Sequence, residues 1–258
     1  MGYFAFFKKY FGLHIRTALE YKMNFVFQSL FMFLNNVFFI VFWFVIFSHI
    51  DTLRGWSFSD VIVLFAAGAV GYGFISFFLG NWSRMTRIIE QGDLDFYLAL
   101  PKDELLHVLV AKSDFYGVGD ILFGLVVALV FLHPLLVLPF MIVSFLGGLI
   151  WASLMIIISS LSFVLGKAEG PTEIASSAVF ALTTYPYTIF PLSLQLFFFV
   201  AFPVFFISNV PVMIVTSFSW MLVGLLLVVT TVFAIIAWFV FRLGLKRYES
   251  GNLVTMRT

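Results

Sequence analysis

Four stretches of this chain, residues 23–49, 61–81, 136–165 and 217–241, contain no charged residue at all. Apolar runs of about 20 residues match the ~30 Å hydrocarbon core of a bilayer. In that solvent a single segment can satisfy its backbone only as a helix. Two further stretches, 114–132 and 173–190, are nearly as apolar, although the first carries Asp114 and Asp120. The pattern predicts an all-α membrane protein with six transmembrane helices. A membrane barrel would read as short alternating segments, which these are not. Composition agrees: 62% hydrophobic residues, 10% charged residues and 37 Phe are more apolar surface than a soluble core of 258 residues can enclose.

Orientation follows from the basic residues. With the N-terminus in the cytoplasm, thirteen of the fourteen Lys and Arg fall on the inner side and only Arg54 lies outside. Positive charge is retained on the cytoplasmic face, so both termini are expected there, in a cell membrane. No small-residue cleavage site follows the first apolar run, and the first span is expected to be retained. A net charge of +1 leaves no footprint for nucleic acid, and the absence of Cys excludes disulfides and thiolate-ligated metal. The four histidines, 14, 49, 107 and 133, are scattered, so no metal site is expected.

Two flanking features complete the layout. Residues 3–20 place Lys8, Gly12, Arg16 and Glu20 on one side of a helix and Phe6, Phe7, Tyr10 and Leu13 on the other. That is the pattern of a helix lying in the headgroup plane. Between the fifth and sixth spans, Pro191, Pro203 and Pro211 break an apolar stretch that is too greasy for a free loop. A re-entrant helical pair fits, provided protein buries the freed backbone groups. Catalytic signatures are lacking. There is no glycine-rich loop ending in Gly-Lys-Ser/Thr, so ATP cannot be bound by that device. Gly68, Gly71 and Gly73 read as close helix packing. Ser159, Ser160 and Ser162 have no accompanying base and read as packing hydroxyls.

The one long polar interruption, Asn81 to Phe115, is where the chain can meet something soluble. Arg84, Arg87 and Glu90 share one side of a helix leaving the second span. Gly92 suits its C-terminal cap and Asp93 can cap the next helix. Leu94 to Leu98 then forms a short amphipathic helix, with Leu94, Tyr97 and Leu98 on one face, and Pro101 ends it. Such a helix can fill a groove on a partner protein or lie on lipid.

Gly92-Asp93-Leu94-Asp95, followed by Tyr97-Leu98 and Leu100-Pro101, resembles the cytoplasmic segment of ABC type 2 exporter permeases. Within them the chain is most similar to short six-span permeases encoded with a separate ATPase. Further pieces agree in order: Glu20-Tyr21-Lys22-Met23-Asn24, Gly55-Trp56-Ser57, Tyr185-Pro186, Phe190-Pro191, Phe202-Pro203, Val210-Pro211, and the tail from Gly244 to Asn252. The resemblance implies a single transmembrane domain over residues 1–258, with an interfacial helix in 1–22, six spans in 23–241 and a cytoplasmic tail in 242–258. It implies two ATPase subunits, a second permease subunit, identical or related, and ATP and Mg bound by the ATPase rather than by this chain. Gly92, Asp93, Leu94, Asp95, Tyr97, Leu98 and Pro101 would then form the coupling segment, in a path for a hydrophobic or amphipathic cargo. Membrane lipids are the remaining expected partner. A lipid or glycan flippase of the same architecture, or an ATP-independent carrier or channel, are the alternatives. The segment Lys167-Ala168-Glu169-Gly170-Pro171 departs from the family pattern in being polar and turn-like.

Asp114 and Asp120 admit two readings. One is a proton or cation step within the membrane. The other, favoured because no ionisable partner lies deep in another span, is that the third span begins later and both acids pair near the cytoplasmic surface with Lys112 or a neighbouring helix. The orientation itself is testable by single-cysteine labelling. Cysteines at Ser57 and Ser208 are expected to react from outside, and ones at Ser113 and Ser250 to be protected; external labelling at Ser250 would overturn the six-span layout.

Overall fold

The computed structural model describes residues 3–248. The expected tail beyond Tyr248, with Ser250 and Arg257, lies outside the described residues. Among them the helices are α1 (Tyr3–Glu20), α2 (Lys22–Phe47), α3 (Phe58–Leu79), α4 (Met85–Glu90), α5 (Leu94–Leu98), α6 (Glu104–Val110), α7 (Tyr116–Phe131), α8 (Pro134–Ser159), α9 (Ser162–Leu165), α10 (Glu169–Thr183), α11 (Leu192–Val200), α12 (Asn209–Thr216) and α13 (Trp220–Leu245). Short 3-10 turns occupy Gly80–Arg84, Tyr187–Ile189 and Val204–Phe206. No strand forms among the described residues; one isolated bridge joins Leu53 to Trp56.

Four helical stretches, Lys22–Phe47, Phe58–Glu90, Pro134–Leu165 and Trp220–Leu245, are long and apolar enough to cross a membrane, and α7 is a shorter apolar helix. The fifth expected crossing, 173–190, overlaps α10, which starts earlier and stops at Thr183. Pro186 disfavours helix at the residue before it, and the chain turns there.

The helices are ordered across the molecule as α2, α7, α3, α8 and α13. α3 is the centre, buried on all sides from Val61 to Gly71. Hydrophobic burial cannot order helices in lipid as it does in water, so the centre is built on backbone proximity. A Cβ on Gly71 would stand 2.7 Å from the Ser144 carbonyl oxygen and 2.9 Å from the Gly148 nitrogen in α8. On the opposite side, a Cβ on Gly73 would stand 2.6 Å from the Gly117 carbonyl oxygen in α7. The expected packing role thus holds for Gly71 and Gly73, while Gly68 makes only ordinary contacts. The outer helices are less enclosed: α2 buries only Ser29, Asn36 and Trp43, at seven-residue spacing along one seam.

Helix ends are chemically defined. Ser57 and Asp60 form a reciprocal capping box at the start of α3. His133 and Pro134 start α8 directly after α7, with Pro134 at the first helical position. At the other end of α3 the helix tightens at Gly80, and the Ser76 carbonyl accepts from the Asp114 N–H at 2.9 Å. The 3-10 turn leads straight into α4, so the second span continues past its expected end at Asn81 into the polar interruption.

The proline-rich stretch forms short pieces rather than one helix. Pro191 and Pro203 each stand immediately before a helical turn, and Pro211 lies in the first turn of α12, where its missing N–H has no intrahelical partner to lose. α11 and α12, with nine and eight residues, are each about half as long as a crossing requires. The break is stitched by two buried side chains. Ser208 Oγ donates to the Thr183 carbonyl at 2.6 Å, and Asn209 accepts from the Tyr187 N–H at 2.8 Å and donates to the Tyr185 carbonyl at 3.3 Å. Ser208 is therefore inaccessible, and Ser113 is buried as well. Probes for orientation belong instead at exposed Ser217 and Lys167.

Gly71→Val or Gly73→Val is expected to destabilise the protein by about 3 kcal/mol or more, because the new carbons meet backbone that cannot give way. Gly224→Ala, in open space on α13, is expected to change stability little. Thermal unfolding of the purified variants checks both; equal stability of all three would show that the centre does not depend on backbone contact.

Candidate functional site

The polar interruption folds into a platform of α4, α5 and α6. α4 stops at Glu90 and is closed by Gly92, whose φ of 79° lies in the left-handed region that favours glycine. The Asp93 N–H bonds to the Ile88 carbonyl at 3.0 Å and the Gly92 N–H to the Ile89 carbonyl at 3.3 Å, a Schellman closure. Gly92 thus has the capping role expected of it. Asp93 does not: it stands at the N-cap of α5 in a helical conformation, and its side chain makes no capping bond. A short five-residue helix entered directly from the Schellman turn leaves no extended residue there to present its carboxylate.

The face of α5 expected to meet a partner is divided. Leu94 is fully buried in the chain's own core. Tyr97 is half-buried, its hydroxyl 3.5 Å from the Asn81 amide, and burial raises its pKa. Asn81 in turn donates to the Val108 carbonyl at 2.9 Å, joining the start of the platform to α6. Leu98 is exposed, and Phe96, absent from the expected set, is the most exposed aromatic of the turn at 69%. Leu94 therefore stabilises the turn from within. Phe96 and Leu98 form its apolar outer tip, beside a shallow depression of about 360 Å³ that includes Gly92, Asp93 and Asp95. Pro101 follows, exposed, in the turn to α6.

Four helices are tied to this platform. Arg84 makes a two-pronged contact with Asp114, at 2.8 and 3.4 Å, at the lead-in to α7. Arg87 pairs with Glu169 at 2.7 Å, and the Glu90 carboxylate accepts from the Ala168 N–H at 2.6 Å, so α4 holds the first turn of α10. The polar segment from Lys167 to Pro171 is thereby explained: it accepts from Arg87 through Glu169 and donates to Glu90 through the Ala168 N–H. On α13, Arg242 pairs with Asp103 at 2.8 Å and Glu104 at 3.1 Å, and Trp238 Nε1 donates to Asp103 at 3.1 Å. Burial alone would raise the Asp103 pKa; hydrogen bonds from Trp238, the Leu106 N–H and Arg242 reverse this and hold it below the usual carboxylate range. Tyr248 donates to the Gly92 carbonyl at 2.5 Å, and its own pKa is pushed up to about 12 by burial and then by Asp95. On α1, Tyr10 bonds His107 at 3.1 Å and His14 bonds the Val110 carbonyl at 2.8 Å. The helix expected in residues 3–20 is present, but its apolar face is split: Phe6 is buried against α6 while Phe7 and Leu13 are exposed.

Between α4 and α10 lies a cleft of about 420 Å³, with Tyr72 and Trp82 as its aromatic wall and Arg84, Arg87, Glu169 and Glu173 as its charges. The two acids of the third span are separated by their surroundings. Asp114 precedes α7 and pairs with Arg84 rather than Lys112. Asp120 lies within α7, 1% exposed, and accepts from Asn36 of α2 at 2.6 Å. Asn36 was the unrecognised partner; its polar side chain within an uncharged span was the available signal.

A family model described as ABC-2 family transporter protein matches residues 33–251. No curated protein and no solved structure matches the chain.

The Asp103–Arg242 link is expected to show a coupling of about 1 kcal/mol in a double-mutant cycle with Asp103→Ala and Arg242→Ala, since Arg242 is partly solvent-screened. Thermal unfolding of the four proteins measures it; strictly additive losses would mean that α13 and α6 are not held by this pair.

Proposed function

Since the chain belongs to the ABC-2 family of transporter proteins, we propose that it is the permease subunit of an ATP-driven exporter. In this reading it crosses the cell membrane six times, with α10 as the fifth crossing, α11 and α12 as an outer re-entrant pair, and both termini in the cytoplasm. A second permease subunit, identical or related, completes the path. Two separate ATPase chains bind ATP and Mg and dock beneath.

The observation that carries the proposal is the platform's construction. An apolar tip, Phe96 and Leu98, stands exposed on a platform that is fastened to the middle of α1, to the lead-ins of α7 and α10 and to the end of α13. A body docked on that tip would move all four attachments together. Gly92 supplies the turn, Leu94 its interior support, Tyr97 its connection to Asn81, Asp93 and Asp95 a charged rim, and Pro101 its end. The lack of a phosphate loop in this sequence agrees with hydrolysis by another chain.

The cleft between α4 and α10 supports an amphipathic cargo over a wholly apolar one. Its charges and hydroxyls, including Thr172 and Ser176, offer polar contacts beside the aromatic wall. The same feature favours the second reading, a flippase that carries a lipid or glycan headgroup.

Phe96→Ala with Leu98→Ala is expected to weaken ATPase binding at least about tenfold and abolish transport, because anchors of this kind commonly contribute ~1–3 kcal/mol each. The folded permease should remain as stable as the parent. Leu94→Ala should instead lower permease stability by roughly 2–4 kcal/mol, as buried truncations do. Co-purification with the cognate ATPase and unfolding of the permease alone separate the two effects. Normal binding and transport by the double variant would refute the coupling role.

A further inference from the structure

α2 stands at the edge of the helix array, and most of its surface is uncovered. Its buried seam, Ser29, Asn36 and Trp43, separates two further faces. One presents Met23, Val26, Leu30, Leu34, Val41 and Phe44, all exposed and all apolar, and suits acyl chains. The other presents Asn24, Gln28, Phe31, Asn35, Phe38 and Phe42, with Gln28 half-buried and the rest exposed. These six recur at alternating intervals of four and three residues, the spacing of a seam between two helices. Every side-chain amide of α2 except that of the buried Asn36 falls on this second face.

Asn35 lies at the middle of α2, the deepest point of a span. Its neighbour Asn36 is turned about 100° from it and gives its amide to Asp120 at 2.6 Å. Asn35 is exposed and makes no hydrogen bond among the described residues. Gln28 Nε2 donates to Asn24 Oδ1 at 3.0 Å, so those two amides satisfy each other only in part. An amide without a partner is costly in hydrocarbon, where no water can replace the missing bond. A carboxamide both donates and accepts, and so it complements another carboxamide. A two-fold axis along this face sets each seam residue opposite its own counterpart. Asn35 of each copy then donates to the other and accepts from it.

We propose that the amide-bearing face of α2 is covered by the same face of a second copy of this chain, through reciprocal Asn35 hydrogen bonds and packing of Phe31, Phe38 and Phe42. The inference deepens the reading of a second permease subunit and rests on it; it adds that the subunit is identical and names the contact. The phenyl rings supply the area. The amides decide which faces meet and in what register, as one buried Asn does between paired helices in water. Self-complementarity is what favours an identical partner, because the same amide at the same position answers itself on a two-fold axis. The phenyl rings alternating with the amides suit a dry helix contact better than the wall of a wet path.

The test is oxidative cross-linking of single cysteines in the full-length chain, which has no Cys of its own, in native membranes. Phe31→Cys and Phe38→Cys are each expected to give a disulfide-linked dimer. Leu34→Cys and Val41→Cys, on the apolar face, are expected to give little. Adding Asn35→Leu to Phe38→Cys should cut the linked fraction about threefold or more, while Asn35→Gln, which keeps an amide, should retain most of it. Asn35→Leu should leave thermal unfolding of the dilute, detergent-solubilised chain unchanged, which separates lost association from misfolding. Strong linking at Leu34 or Val41, or undiminished linking with Asn35→Leu, would overturn the interface. So would a reaction of the Phe31 and Phe38 cysteines with a water-soluble thiol reagent in place of linking, which would mark a cargo path. The mass of the native complex distinguishes the remaining failures. Two copies that link only through another helix, or one copy beside a different permease, would overturn this pairing and leave the second-subunit reading standing. A single permease chain would end both.

Discussion

The close approach of α3 to α7 and α8 is the contact from which the other arrangements follow. Gly71 faces Gly148 and Gly73 faces Gly117, so backbone meets backbone on both sides of one helix. In lipid an apolar side chain gains little by leaving the acyl chains for a neighbouring helix. Dispersion and polar backbone contact at short range must then hold the centre, and only residues without a Cβ permit that range. Once α7 and α8 are seated, α2 and α13 need only a narrow seam each. Their mostly exposed apolar surfaces follow from this.

The platform inherits the rigidity of that centre because α3 is continuous with it. The helix tightens at Gly80, and α4 begins without an intervening loop. The Ser76 carbonyl, in the last turn of α3, also accepts from the Asp114 N–H and so ties the lead-in of α7 to the place where the helix type changes. α10 is held at both ends, by Arg87 and Glu90 at its beginning and by Ser208 at its end. A displacement of α4 therefore has a direct route, through charge pairs and side-chain hydrogen bonds, to the break before α12.

Much of this was legible from the sequence where a solvent or a dihedral angle leaves no choice. In hydrocarbon a single unbroken apolar segment satisfies its backbone only as a helix, so the long apolar runs were readable. Gly92 was readable because a left-handed residue must end a helix of that kind, and the prolines because each removes a donor. The platform's inner face was not readable. Amphipathicity says that α5 has two sides, but not which side the rest of the chain will cover; Leu94 turned inward and Phe96 outward. The polar pairs were equally hidden. Asp103 and Arg242 are 139 positions apart, Asn36 and Asp120 are 84 apart, and nothing local links them. Asn209 shows the same limit, since its role in closing the outer break depends on Tyr185 and Tyr187 being brought back to it.

The unequal lengths of neighbouring helices have a mechanical consequence for the bilayer. α2 and α13 have 26 residues each, or about 39 Å, which exceeds the ~30 Å hydrocarbon thickness and is met by tilting. α7 has 16 residues, or about 24 Å, and falls short of that thickness. Where such a helix shares one bilayer with longer neighbours, its ends must be sheltered by protein rather than by lipid, and α7 has α2 on one side and α3 on the other to do so.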